Sequence, residues 1–392
     1  MRKRVFVSVL ENLIPPAPKV VPPKGWQPAV ELNGDEGWAV TPGLPVDEQP
    51  DFDQFLIDAG FDPATITIVG TPRTSRWQRY DGSWLTSYRF NFRKTASVVD
   101  LPALMQAARK TKTPTVKPVT SDKVLVVMVA DLQIGKTDHR GGREQVVART
   151  LQAFDRVEAK VRSGKYEQIV IADMGDIVEN FGNQANEQQT FTNDLSLMQQ
   201  VDLATTLIWE LLKRVTKYAP VMYATVASNH CQFRINKQQV GRPGLDDWGV
   251  VIAQQVARLS KEVGLPVRVL VPEPHDESLA VDVFGDGFHV LGLWHGHQAQ
   301  RPEGVPDWWR KQAFGQQPVA GATIGLTGHF HHLRVQELGQ ASNGGSRWWI
   351  QAPTLDNGSN WWRLTAGEDS QPGLAVFELE RGKHYTGTVF KL

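Results

Sequence analysis

The stretch KVLVVMVADLQIGK, residues 123–136, decides the fold. Lys123 to Ala130 is an almost continuous apolar run, the pattern of a strand buried on both faces. The polar cluster Asp131-Leu-Gln133 follows at once. Working outward, the same figure recurs four more times. Gly175-Asp176 follows Ile169–Ala172, and Ser228-Asn229-His230 follows Val221–Ala227. His295-Gly-His297 follows Val290–Leu293, and Gly328-His329-Phe-His331 follows Ile324–Leu326. Open α/β sheets bind ligands beyond the carboxyl ends of their strands. Every cluster falls at such an end, and together they offer carboxylate oxygen, amide oxygen and imidazole nitrogen. These are ligands for hard-to-borderline divalent metals.

Between the clusters the pattern predicts helices over 143–163, closed by Gly164, then over 195–218 and 247–263. Strands over 168–172 and 221–227 alternate with them, so βαβαβα and a parallel sheet are expected. Beyond about residue 264 helices thin out to one, near 306–314. Strands are expected over 267–271, 279–283, 289–293, 323–326, 334–337, 347–351, 374–378 and 386–390. Parallel α/β followed by a β-rich half suggests two sheets packed face to face.

The N-terminal part reads differently. Residues 1–50 are rich in Pro and Gly without a sustained period, as in an extended arm. Residues 51–121 form a small module and linker. A short helix over 51–59 is closed by Gly60. Strands follow over 65–69, 75–80 and 84–92, the last two joined by the hairpin signal Asp81-Gly82. A helix over 101–110 and a Pro/Thr/Lys linker over 111–121 complete it. Residues 1–71 hold ten acids against five bases, and 72–123 hold eleven bases against three acids. Trp77, Tyr80, Trp84, Tyr88, Phe90 and Phe92 are interleaved with those bases.

Bulk numbers bound the class. A chain of 392 residues, 41% hydrophobic and 21% charged, has the composition of an ordinary globular protein. Its net charge of zero gives no global attraction to nucleic acid or membrane. The single cysteine, Cys231, excludes an internal disulfide framework and fits a reducing compartment. No apolar stretch is long enough to span a bilayer, and the start reads as an intracellular one. A cytoplasmic location is therefore expected, with no membrane partner.

The order Asp-x-Gln, Gly-Asp, Asn-His, His and Gly-His-x-His resembles the calcineurin-like metallophosphoesterases over residues 122–392. The resemblance implies a four-layer α/β/β/α sandwich with a centre for two divalent metal ions. In that pattern Asp131, Gln133 and His331 hold the first metal and Asp176 bridges both. Asn229, His295 and His329 hold the second. His230 faces substrate and protonates the leaving oxygen. A pair of ions about 3.5–4 Å apart neutralises a phosphoester and activates water for in-line attack. Family members usually carry His where this chain has Gln133. An amide oxygen binds borderline metals more weakly, so manganese is expected ahead of magnesium, zinc or iron(II).

Lys136 and His297 are candidate substrate contacts. Arg89 and Arg93 are candidates within the basic segment, where a polyanion would bind through counterion release. The same aromatics equally suit a small core. Three tryptophan doublets, at 308–309, 348–349 and 361–362, suit packing or base stacking. The motif form resembles phage-encoded exonuclease-like proteins of the SbcD type, which implies a bacterial host, nucleic acid as substrate, and a homodimer or partner ATPase. The reading is a phosphodiesterase or nuclease. A phosphomonoesterase of nucleotides or phosphoproteins, and a non-catalytic scaffold of the same fold, stay open beside it.

Overall fold

The computed structural model describes residues 29–33, 36–46, 48–63, 66–79, 81–94, 120–180, 193–235, 238–367 and 369–392. The Pro-rich stretch up to residue 28, the helix expected over 101–110 and most of the linker lie outside these residues. The chain divides into two compact units, Met1–Asp100 and Leu101–Leu392.

The first unit is one antiparallel sheet with a short helix. Its strands are β1 (Ala29–Asn33), β2 (Glu36–Val40), β3 (Leu44–Pro45), β4 (Ile66–Gln78) and β5 (Trp84–Lys94), with helix α1 (Phe52–Asp58) between β3 and β4. Asp51 caps α1 by accepting from the Gln54 N–H at 2.9 Å. Two expectations change here. Ala29–Asn33, Glu36–Val40 and Leu44–Pro45 are paired strands rather than arm, because β2 and β3 each find long-range partners along β5. Residues 66–78 are one strand rather than two, since Gly70 and Pro72 are absorbed in a bulge between Val69 and Arg73. Alternation along β5 sends Phe90 and Phe92 into a core with Ala39 and Leu56. Those two aromatics are therefore packing residues. Arg89 stacks over the Trp38 ring at 4.7 Å, and Arg93 Nε donates to Glu36 at 3.0 Å.

The second unit holds two larger sheets. Its elements run β6 (Lys123–Val129), α2 (Arg143–Ser163), β7 (Gln168–Asp173), α3 (Leu197–Val215), β8 (Val221–Thr225), the small pair β9 (Arg234–Ile235) and β10 (Gln238–Gln239), and α4 (Trp248–Val263). They continue β11 (Val267–Leu270), β12 (Ser278–Asp282), β13 (Val290–Trp294), α5 (Val305–Phe314), β14 (Ile324–Thr327), β15 (Arg334–Gln340), β16 (Ser346–Gln351), α6 (Asn360–Ala366), β17 (Ala375–Glu380) and β18 (Phe390–Lys391). One sheet has the order β11-β8-β7-β6-β17-β18, with β11, β8, β7 and β6 parallel and the last two strands antiparallel. The other has the order β12-β13-β14-β16-β15, parallel in its middle and antiparallel at both edges.

Both sheets feed one apolar cluster. Val124, Val126 and Met128 of β6 belong to it, as do Leu291, Leu293, Ile324, Leu326 and Ile350 of the other sheet. Leu125 and Val127, on the opposite face of β6, are equally buried, so the continuous apolar run reports a strand covered on both sides. On the far face of the second sheet Trp294 and Trp349 pack with Val305, Trp309 and Val319. The buried members of two tryptophan doublets are thus core, whereas Trp362 stays exposed. Among the described residues no helix is long and apolar enough to cross a membrane.

Capping sets where the helices begin. Ser196 and Gln199 form a reciprocal capping box at α3. Asp247 caps α4 by accepting from the Gly249 and Val250 N–H groups, and its other oxygen accepts from Ser228 N at 3.1 Å. This buried carboxylate ties the helix start to the loop that carries Asn229. Asp247→Ala is expected to cost about 1–2 kcal/mol for the cap, plus about 1–3 kcal/mol for the orphaned Ser228 N–H. A lowered urea midpoint with unchanged m-value checks it.

Candidate metal centre

The carboxyl ends of β6, β7 and β8 in one sheet, and of β13, β14 and β16 in the other, deliver polar side chains to one place. The loops after β6 and β7 run side by side. Asp131 N donates to Gly175 O at 3.0 Å, and Gln133 N to Asp176 O at 2.9 Å. Asp176 N donates to Ser228 Oγ, and His230 N to Asp176 Oδ1, both at 2.8 Å. His329 N donates to Asp131 Oδ2 at 2.9 Å, which joins the two sheets. Each carboxylate thus spends one oxygen on the backbone and turns the other to an imidazole nitrogen.

This backbone is strained. Asp131, Gln133, Asp176, His329 and His331 all take positive φ, between 43° and 70°, as does Asn180. For non-glycine residues such a conformation costs about 1–3 kcal/mol each and persists only where surroundings enforce it. The enforcement is visible at the glycines. A Cβ on Gly328 would come within 2.6 Å of Asp131 Oδ2, and one on Gly175, where φ is +89°, within 2.5 Å of Ser228 Cβ.

Asp131 Oδ1, Asp176 Oδ2, Asn229 Oδ1 and His295 Nε2 are buried and lack a fixed donor. Any bond between these carboxylates and the imidazoles depends on the proton the ring carries. His295 Nδ1 donates to the Met174 carbonyl at 2.7 Å, which turns the lone pair of Nε2 towards Asp176 Oδ2, 2.8 Å away. His331 repeats the design, with Nδ1 3.4 Å from Asp356 Oδ2 and Nε2 3.3 Å from Asp131 Oδ1. A carboxylate or carbonyl behind the ring is how metal-binding imidazoles are oriented. Asp176, His295 and His329 present ligand atoms within 4.8 Å of one another. Facing lone pairs in a buried site repel unless a cation sits beside them. This donor set fits a divalent metal ion.

Protonation follows the same logic. Burial opposes charge on His331, yet Asp131 and Asp356 outweigh it and push the ring up to about 10. Burial likewise opposes charge on His230, but Asp176 and Glu179 push it up to about 9. Burial and the neighbouring His295 drive His329 down to about 2, leaving a neutral imidazole. Burial works against ionised Asp176, but the histidines around it hold it well below the usual carboxylate range.

The remaining expected residues fall as follows. His230 Nδ1 lies 3.1 Å from the Glu179 carbonyl, and Nε2 lies 3.9 Å from Asp176 Oδ2. Its side chain keeps 21% exposure where His295 has none, so it reaches solvent from the same cluster. His297 stands beside the cluster, 5.5 Å from the His295 ring, with Nε2 3.5 Å from Glu277. Gln133 is close by, but its Oε1 is taken by Lys136 Nζ at 2.6 Å. Arg89 and Arg93 belong to the first unit. Cys231 is buried and reduced, with its thiol pushed well up by burial. Asp356 was missed by sequence reasoning, although it follows β16 as the other clusters follow their strands.

No known protein family matches the sequence, and no curated protein does either. Among solved structures, a protein of unknown function from Aquifex aeolicus is similar at 13% identity, over 53% of this chain and 78% of that one, with a TM-score of 0.22. So low a TM-score carries neither fold nor function across, and the reading of the site rests on its own geometry.

Proposed function

We propose that the second unit is a four-layer α/β/β/α metallophosphoesterase that hydrolyses phosphodiesters, with DNA or RNA as substrate. The observation that carries this reading is the convergence, from the strand ends of both sheets, of buried atoms that lack a fixed donor. Asp176, His295, His329 and Asn229 would hold one divalent ion, and Asp131 with His331 would hold another. When bound, such ions neutralise an anionic ester and make water a competent nucleophile at neutral pH. The chain's own residues supply the rest. His230 carries a proton at neutral pH and is open to solvent, as a general acid for a leaving alkoxide must be. Glu179 orients that ring through Nδ1 and leaves Nε2 to donate. The nucleic-acid assignment draws on the basic stretch around Arg89 and Arg93, and His297 beside the cluster is a candidate contact.

A non-catalytic scaffold is the second reading. It draws on the Gln133 amide oxygen, which is engaged by lysine. Metal analysis separates the two, since a scaffold needs no ion at micromolar manganese.

Purified protein with Mn²⁺ is expected to cleave bis-(p-nitrophenyl) phosphate and labelled DNA. Asp176→Ala should abolish both activities, and His230→Gln should lower kcat by about 10²–10⁴-fold with KM little changed. Hydrolysis of monoesters alone would replace the diesterase reading with a phosphatase.

Metal binding should also depend on pH. Burial pulls His295 down but Asp176 outweighs it, so the ring holds its proton above the ordinary histidine range. An incoming ion displaces that proton, so affinity rises with pH and is lost as pH falls. About tenfold per unit is expected for one proton. Calorimetry in buffers of different ionisation enthalpy counts the protons released, and a pH-independent affinity would contradict this.

A further inference from the structure

We propose that Lys136 is a built-in cation of this centre, which therefore holds one divalent ion tightly, on Asp176, His295 and His329, and a second only weakly. The inference rests on the metal-centre reading. Lys136 Nζ lies 2.6 Å from Gln133 Oε1 and 2.8 Å from Asp356 Oδ2. The lysine side chain is 12% exposed and the Asp356 side chain 1%, so the pair is shielded from solvent. The arrangement is braced on each side. Lys136 N donates to Gln133 O at 3.0 Å, and the Lys136 carbonyl accepts from Asn357 Nδ2 at 2.6 Å. Asp356 Oδ1 accepts from Gly358 N at 3.0 Å.

Three consequences follow. An amide offers a metal only its oxygen, and here that oxygen already accepts from an ammonium. Asp356, which stands behind His331, has much of its negative charge matched by the lysine. An ion arriving beside Asp131 and His331 therefore meets a like charge at short range in a low-dielectric site. The tight ligand set also has a cationic neighbour, since His230 Nε2 lies 3.9 Å from Asp176 Oδ2. That ring, however, keeps 21% exposure and is screened by solvent, and His295 is backed by the neutral Met174 carbonyl. Lys136 thus supplies as a fixed ammonium part of the positive charge that a second ion would bring to a phosphoester.

Manganese titration of the full chain tests this by calorimetry and electron paramagnetic resonance. The native protein should bind one Mn²⁺ and then a second at least about tenfold more weakly, with an uncoupled six-line spectrum at one equivalent. Lys136→Met should bring the second affinity to within about tenfold of the first, and give an exchange-coupled signal at two equivalents. Two equal sites in the native protein would overturn the proposal. So would an unchanged second affinity in a variant with native circular dichroism. If Lys136→Met does not fold, Lys136→Gln carries the same test, because its amide can still donate to Asp356 while the positive charge is gone. Absence of any binding by the native protein would sink the metal-centre reading itself, a result distinct from either of the others.

Discussion

Asp176 Oδ2 and His295 Nε2 face each other at 2.8 Å in the dry interior, and the rest of the site is organised around that confrontation. With His295 neutral and Nδ1 donating to Met174, both atoms are acceptors, and a proton on Nε2 bridges them until another cation takes its place. Leaving two buried lone pairs unsatisfied is costly, so the fold is poised for a cation. The cost is carried by the two sheets. Their shared apolar cluster, built from β6, β7, β8, β13, β14 and β16, fixes the strand ends in space. Short loops then have no freedom to relax out of their left-handed conformations.

The carboxylates after β7 show how selective this arrangement is. Asp173 is fully buried, yet it accepts from Tyr223 Oη at 2.7 Å, Thr225 Oγ1 at 3.1 Å and Gly175 N at 3.0 Å. Its lone pairs are occupied, and burial pushes its carboxyl up. Asp176, three residues on, is equally buried but turns Oδ2 to His295 Nε2 at 2.8 Å, a partner whose proton can leave. One chain segment therefore holds a structural carboxylate and a ligand-seeking one. Hydrogen-bond satisfaction separates them, whereas burial does not.

Much of the second unit was legible because periodicity and punctuation agree there. Helix α2 has the bounds its pattern predicts, ended by Gly164, and α4 begins after the Asp247 cap. The clusters at strand ends were legible for the same reason, since an apolar run that stops at a polar group marks where a strand leaves the core. Pairing over long sequence distance was not legible. Strands β1 to β3 lie in a stretch whose Pro and Gly content outweighs any alternation, and they exist because β5 pairs with them. Asp356 escaped for a different reason. Gln351, Pro353 and Thr354 break the apolar pattern before Asp356 is reached, so no apolar run leads straight into it as in the other strands. The lysine that engages Gln133 is local, three residues on, but it is held there by Asp356 from far along the chain, and that pairing has no local signature.

Charge then orders the events at the site. Asp131, Asp176, Glu179 and Asp356 converge on a pocket whose built-in cation is Lys136. The histidines record the surplus, since His331 and His230 hold protons to about 10 and about 9 although burial opposes it. Those protons, together with Lys136, already match the four carboxylates. On the proposed reading a divalent ion must therefore displace protons from His295 and His331 before it can serve an anionic ester, so metal and protons compete for the same atoms.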